Sequence, residues 1–290
     1  MGFTNGAALT ALCERNRTSI SEEMLRREAE LSDISREEVI LRMAHSYEIM
    51  KEAVRTALEG EVTSMGGLIG GEAKKIYFHS QSVKPVCGSI ISKAAAYAMG
   101  VLEVSASMGL IVAAPTAGSS GVIPGTFLAV QEEYSFSDEV MINALFNTGA
   151  IGYLITRNAT VSGAEGGCQA EVGTASAMAA SAITQLMGGS PKQCLDASAM
   201  VISNLLGLVC DPVAGLVEAP CQNRNALGAS TALVCAQTAL SGINSLIPFD
   251  EMVDAMFRVG KSMPTELRET AQGGCATTPT GCQLCQKIFR

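Results

Sequence analysis

Apolar side chains recur at helical spacing over residues 35–60, where Val39, Ile40, Met43, Ala44, Tyr47, Met50, Val54 and Leu58 share a face before Gly60 ends the pattern. Ser35 followed three positions later by Glu38 is a capping-box signature, which predicts a helix from Ser35 to Gly60. A shorter helix is predicted from Ser19 to Leu31, again with a glutamate, Glu22, three residues after the cap. Beyond Gly66 the pattern changes: residues 104–130, 172–191 and 225–247 carry no charged side chain. Such stretches predict central helices buried on all sides. The last is long enough to span a bilayer, but its Gln237, Asn244 and many small residues keep its apolar content low, and no Trp or basic flank marks an interface. No membrane role is expected. Strand signals are confined to IYFHS around Tyr77 and GLIVAA before Pro115. Glycine and proline punctuate the chain at 65–71, 115–125, 162–167, 211–220 and 273–281, predicting the loops that carry function. The expected fold is mainly α: a single helical domain with small-residue-rich central helices and cluster-bearing loops.

Charge divides this picture in two. Residues 1–60 hold 8 basic and 11 acidic side chains and read as a charged N-terminal helical layer, while 61–290 read as a helical catalytic domain continuous with it. A net charge of −8 argues against a nucleic-acid partner, because phosphate binding needs clustered Lys and Arg. Hydrophobic residues make up 48% but aromatics only 4%, so Ala, Gly, Leu, Ile, Val and Met fill the interior and helices can approach closely. Ten cysteines in 290 residues are too sparse for a disulfide scaffold, and MGFTNGAALTALCERNR has no basic lead before an apolar run, so a reducing cytoplasm is expected. Two short motifs are chance matches: Gly6 stands where myristoylation requires Ser or Thr, and the Asn158-Ala159-Thr160 sequon has no use in that compartment.

Candidate chemistry centres on Cys168, Cys210 and Cys221, each in a glycine- or proline-bearing stretch that reads as loop. Pro212 and Pro220 make one helix through Cys210 and Cys221 untenable and place those thiols at the ends of a turn. Without a CxxC among the three, a zinc knuckle is not the natural reading. Spacing leaves two readings open: three buried free thiols, or three thiolates holding three irons of a cluster whose fourth iron stays open. Pro115-Thr116-Ala117-Gly118-Ser119-Ser120-Gly121 has the makings of an anion nest, with inward-turning N–H groups and three hydroxyl donors. The two histidines are His45, in the charged outer helix, and His79. Near the C-terminus Cys275, Cys282 and Cys285 include a CxxC but have no fourth ligand and read as incidental thiols; Cys13, Cys87, Cys194 and Cys235 read as packing residues.

The segments MGGLIGGEAKK, APTAGSSGVIPG, GAEGGCQAEVG and CDPVAGLVEAPCQNRNALGA resemble, in order, the signatures of the iron–sulfur L-serine dehydratases, specifically the α chain of the type in which α and β are separate polypeptides. The resemblance implies a four-iron four-sulfur cluster on Cys168, Cys210 and Cys221, no pyridoxal phosphate, and conversion of L-serine to pyruvate and ammonia. It implies a substrate-binding loop at Thr116, Ala117, Gly118, Ser119, Ser120 and Gly121, with Asn147, Ser162 and Glu165 reaching the same site and Arg224 and Asn225 supporting it. The family's serine- and histidine-containing β-chain motif has no counterpart here, so the catalytic base is expected from a β subunit, with His79 the alternative. A labile cluster is also expected to be lost from air-handled protein. An L-cysteine desulfidase using the same cluster is the nearest competing function, and a non-enzymatic iron–sulfur redox or oxygen sensor is the competitor from another class.

Overall fold

A computed structural model describes residues 2–289 and builds them from thirteen α-helices, with no β-strand among the described residues. An outer layer comprises α1 (Gly6–Asn16), α2 (Ile20–Ser32) and α3 (Arg36–Glu59). Next come α4 (Glu72–Ser82), α5 (Gly88–Ala106), α6 (Val122–Tyr134), α7 (Asp138–Asn158) and the single turn α8 (Gly163–Gly166). The chain continues through α9 (Cys168–Leu186), α10 (Pro191–Leu205), α11 (Cys221–Leu240), α12 (Phe249–Ser262) and α13 (Pro279–Ile288).

The outer helices start where the sequence signals them. Ser19 Oγ accepts from Glu22 N–H and Ser35 Oγ from Glu38 N–H, each at 3.2 Å. The reciprocal half of each predicted box is diverted: Glu22 pairs with Arg36 (2.8 Å) and Glu38 with Arg42 (3.0 Å), since a carboxylate gains more from a guanidinium than from an amide. Tyr47 is fully buried against the rest of the fold, and its hydroxyl donates to Gln131 Oε1 at 2.6 Å. We expect Tyr47→Phe to lower stability by about 1 kcal/mol, the net worth of one such bond, as measured by denaturant unfolding.

Helix α9 is the axis of the molecule. Sixteen of its residues are buried, and α6, α7, α10 and α11 pack around it, as a helix without polar faces requires. Two of its interior hydroxyls bond within the helix, Ser176 Oγ to Val172 O and Thr184 Oγ1 to Ala180 O. Glycine permits the closest crossing there: a Cβ on Gly228 of α11 would lie 2.6 Å from Ser176 Oγ. The same burial does not extend to α11, whose buried positions Cys221, Asn225, Gly228, Ala232, Cys235 and Ala239 form one stripe while Leu227 and Val234 are exposed. Among the described residues no helix is long and apolar enough to cross a membrane.

Both strand expectations fail. IYFHS lies inside α4, where Tyr77 stacks near Tyr97 with ring centroids 5.9 Å apart; a five-residue apolar run has no period of its own and takes that of its neighbours. Residues 109–114 form no strand and run as irregular backbone. Cys87 is exposed at the head of α5 and does not pack as expected.

Candidate active site

Two of the three singled-out cysteines are not in loops. Gly167, at φ 74°, turns the chain out of α8 so that Cys168 becomes the first residue of α9, and Cys221 is the first residue of α11. Each sulfur therefore sits at the positive end of a helix dipole, although the first N–H groups are already taken, Gln169 by Leu208 O and Gln222 by Glu218 O. Cys210 sits between them in extended backbone, its N–H donating to Leu267 O (2.8 Å) and its carbonyl accepting from Glu269 N–H (2.7 Å). The turn from Cys210 to Cys221 is closed by Val213 N–H to Ala219 O at 2.9 Å.

Three ligand atoms meet here: Cys168 Sγ, Cys210 Sγ and a carboxylate oxygen of Glu171 lie within 4.8 Å of one another. The Cys168 thiol is held below its ordinary pKa, first by a hydrogen bond from Cys210 and then by the Arg224 charge, which together outweigh burial. The same bond, with burial, drives Cys210 far upward. Cys221 stands outside the 4.8 Å group but feels the charge on Cys168, and burial pushes it up to about 12. Burial likewise raises Glu171 to about 6 against the hydrogen bond from Thr116. All three thiols are buried, and no fourth cysteine acts on any of them. Two sulfurs within 4.8 Å and a third, on Cys221, near enough to feel the charge on Cys168 have the chemistry to hold an iron–sulfur cluster, so the residues fit such a group.

The hydroxyl loop adjoins this centre. Thr116 Oγ1 donates to Glu171 Oε1 at 2.8 Å and lies 3.2 Å from Ser119 Oγ. Asn225 clamps the loop to α11: its Oδ1 accepts from Gly121 N–H (3.0 Å), and its Nδ2 donates to Gly118 O (2.8 Å) and Cys221 O (2.9 Å). A nest opening inward at every residue does not form, because Ser119 and Ser120 N–H bond back to Thr116 O and Ala117 O and Gly121 N–H is held by Asn225. Ser120 Oγ also turns back, to Ala117 O.

Arg224 braces the other side. It donates to Cys168 Sγ at 3.5 Å and to Val209 O at 2.9 Å, and it pairs with Asp211 at 2.7 Å. Asp211 in turn accepts from Cys275 N–H at 2.6 Å, fastening the C-terminal segment to the site. Of the thiols of that segment, Cys275 and Cys282 are exposed and Cys285 partly so, and the Cys275 side chain lies against Asp211.

The other expected residues divide between this site and more distant packing. Asn147 donates to Gln185 at 2.9 Å, and Gln185 is seventeen residues along α9 from Cys168, about 25 Å at 1.5 Å per residue. It therefore belongs to the α2–α7–α9 packing. Ser162 caps α8 through its carbonyl and borders the site, since a Cβ on the next residue, Gly163, would lie 3.2 Å from Cys210 Sγ; Glu165, on the same turn, is exposed. His45 and His79 are both exposed, on α3 and α4. Glu171 and Asp211 were missed by the sequence reading. The signal for Glu171 was its position three residues after Cys168, which is the same face only if a helix begins at the cysteine.

Residues 15–276 match the family model described as "Serine dehydratase alpha chain". The "Probable L-serine dehydratase, alpha chain" of Bacillus subtilis is 50% identical over 99% of this chain and 95% of its own length. The "L-serine dehydratase, alpha chain" of Peptoniphilus asaccharolyticus is 44% identical over 96% of this chain and 94% of its own. A relative named "L-serine dehydratase" without a chain designation, from Helicobacter pylori, is 34% identical over 95% of this chain but only 62% of its own length.

Proposed function

The chain belongs to the serine dehydratase alpha chain family, and from that premise we propose that it removes water from L-serine in the cytoplasm, yielding pyruvate and ammonia, with a four-iron four-sulfur cluster on Cys168, Cys210 and Cys221. The observation that carries this reading is the meeting of two cysteine sulfurs and a carboxylate within 4.8 Å beside a hydroxyl-rich loop. When bound, such a cluster supplies a Lewis-acidic iron that takes up negative charge from the departing hydroxyl oxygen.

The chain's own groups orient the substrate. The Glu171 carboxylate receives the α-ammonium of L-serine, and the Thr116 and Ser119 hydroxyls stand beside it toward the substrate carboxylate. Arg224 and Asn225 fix the first turn of α11 so that Cys221 and the loop keep their distance. Loss of the α-proton and of the β-hydroxyl gives aminoacrylate, whose imine tautomer takes up water and releases ammonia, so the water lost is regained. The α-proton needs an acceptor. With His45 and His79 exposed on α3 and α4 and Glu171 assigned to the α-ammonium, this reading takes the acceptor from a β subunit.

Anaerobically reconstituted protein with its β chain is expected to release pyruvate from L-serine; a full cluster without turnover overturns the assignment, and preferential sulfide release from L-cysteine makes it a desulfidase. Glu171→Gln is expected to raise KM for L-serine by about 10–100-fold, the worth of a hydrogen bond to a charged group, with smaller loss of kcat. Steady-state kinetics check this, and a collapse of kcat at unchanged KM would instead make Glu171 the base.

A further inference from the structure

One signature segment, MGGLIGGEAKK, contributes no ligand atom to the cysteine group, yet its backbone closes on two buried carboxylates. Glu218, 2% exposed, accepts from Ser64 Oγ (2.6 Å), Gly66 N–H (2.7 Å) and Leu68 N–H (3.0 Å). Glu103, wholly buried in α5, accepts from Ala73 N–H (2.9 Å) in the first turn of α4. The segment, with Ser64 before it, is thus a receptor for anions, and the anions are the chain's own. Every donor in this set is neutral, so the carboxylates are fixed by directed N–H and O–H dipoles, and such charge-assisted bonds are the stronger kind. Close approach requires the glycine at position 66, where a Cβ would strike Leu216 and lie 2.8 Å from Glu218 Oε1.

Both carboxylates reach the start of α11. Glu218 lies three residues before Cys221, and its carbonyl accepts from Gln222 N–H at 2.9 Å. Gln222, the residue after Cys221 and itself buried, donates through Nε2 to Glu103 Oε1 at 2.7 Å and to Glu72 Oε2 at 3.4 Å. Glu72 Oε2 also accepts from Gly70 N–H at 2.6 Å, which returns the chain of bonds to the same segment. Cys221 is therefore bracketed in sequence by two side chains locked to one loop, while Arg224 and Asn225 hold the same turn toward Cys168 and the Thr116–Gly121 loop. The bracket bears on Cys221 in particular. Cys168 and Cys210 already meet within 4.8 Å, whereas Cys221 lies outside that group and serves as a third ligand only if α11 begins in the right place. A ligand has to be held to within about 0.5 Å of its productive position.

We propose that Glu218 and Gln222 are positioning residues for Cys221, clamping the first turn of α11 onto the Ser64–Ala73 segment so that the third sulfur is presented to the metal site. This rests on the serine reading only where it takes Cys221 as a ligand; the clamp is a property of the metal-free chain.

The test reads the thiol itself. The full chain, metal-free and anaerobic, is treated with iodoacetamide, and labelling at each cysteine is followed by peptide mass spectrometry. Glu218→Gln turns an amide NH₂ toward donors that need an acceptor, and is expected to raise the labelling rate of Cys221 by about tenfold, the worth of a hydrogen bond to a charged group. Labelling of Cys194 and Cys235 is expected to stay unchanged; both are buried, and Cys235 shares α11 with Cys221 and so reports on the helix as a whole. Ser64→Ala deletes one donor and leaves two, is expected to give a smaller rise, and serves as the test if Glu218→Gln does not fold. After anaerobic reconstitution, release of iron to a ferrous chelator is expected to quicken by about 10–100-fold in Glu218→Gln, as for loss of a group that supports a metal ligand. Tyr47→Phe, a destabilising change away from the clamp, is expected to leave both rates as they are. Unchanged labelling of Cys221 in the folded variants, a parallel rise at Cys194 and Cys235, or a loosened Cys221 with iron release unaltered overturns the positioning role. Selective loosening of Cys221 in a chain that, unsubstituted, holds no cluster and turns over no L-serine leaves the clamp standing and removes the serine reading.

Discussion

Replacing Cys168 with alanine is expected to abolish both cluster retention and L-serine turnover. Cys168 is the sulfur of the group held below its ordinary pKa, by Cys210 and then by Arg224, which donates to it at 3.5 Å. Alanine removes a ligand and leaves Arg224, which is mostly buried, with Asp211 as its remaining charged partner. Loss of a group that merely supports a metal ligand typically costs about 10–100-fold in affinity, and the ligand itself exceeds that. Arg224→Gln should therefore fall in the lower range and Cys168→Ala beyond it, while Cys282→Ser, on the surface of α13, changes neither quantity. Iron and labile sulfide content after anaerobic reconstitution, with pyruvate release, measures each variant. Retention of a full cluster by Cys168→Ala, or its loss in Cys282→Ser, would move the metal site to the C-terminal segment.

A large loss of stability is expected at Gly125, where α6 crosses α5. A Cβ there would lie 2.6 Å from Ala94 O, 2.7 Å from Ala98 N and 2.8 Å from Ala98 Cβ, so two of the three obstacles are backbone and no rotamer change relieves them. The helices must separate over a stretch, Val122–Val130, that is wholly buried. Overpacking of this kind costs about 3 kcal/mol. At roughly 2–4 °C per kcal/mol for a large domain, Gly125→Ala should melt on the order of 6–12 °C lower. The Thr116–Gly121 loop leads directly into α6, so substrate affinity should fall with it. Gly149 in α7 supplies the contrast: a Cβ there meets only Met24 side-chain atoms at 3.7 Å or more, and alanine should stabilise by about 0.5–1 kcal/mol through helix propensity. Thermal unfolding of the two variants checks both signs, and equal melting points would show that the crossing can yield.

Much of the scaffold was legible in the chain. Ser19 and Ser35 announced two helix starts to the residue because a cap is a local hydrogen bond between near neighbours. The uncharged run at 172–191 announced α9 as an interior helix, since a helix without a polar face can only be buried. The similar run at 225–247 misled, because small and polar uncharged residues tolerate either environment, and only packing shows that α11 keeps one face in solvent. IYFHS failed for a related reason: β-rich composition over a few residues is overridden by the helix on either side.

The site divides along the same line. Cys168, Cys210 and Cys221 and the Thr116–Gly121 loop could be nominated from residue type and motif, which are properties of the chain. That Cys168 and Cys221 begin helices, that Glu171 joins the sulfurs while Asn147 stands at the far end of α9, and that Asp211 ties Arg224 to Cys275 depend on contacts between residues up to 64 positions apart. Sequence determined the helices and the inventory of reactive groups, because both follow from short-range hydrogen bonding and side-chain chemistry. Only the tertiary structure decided which of those groups share a dielectric and a charge field, since that is settled by how the helices cross and by the few glycines that let them cross so closely.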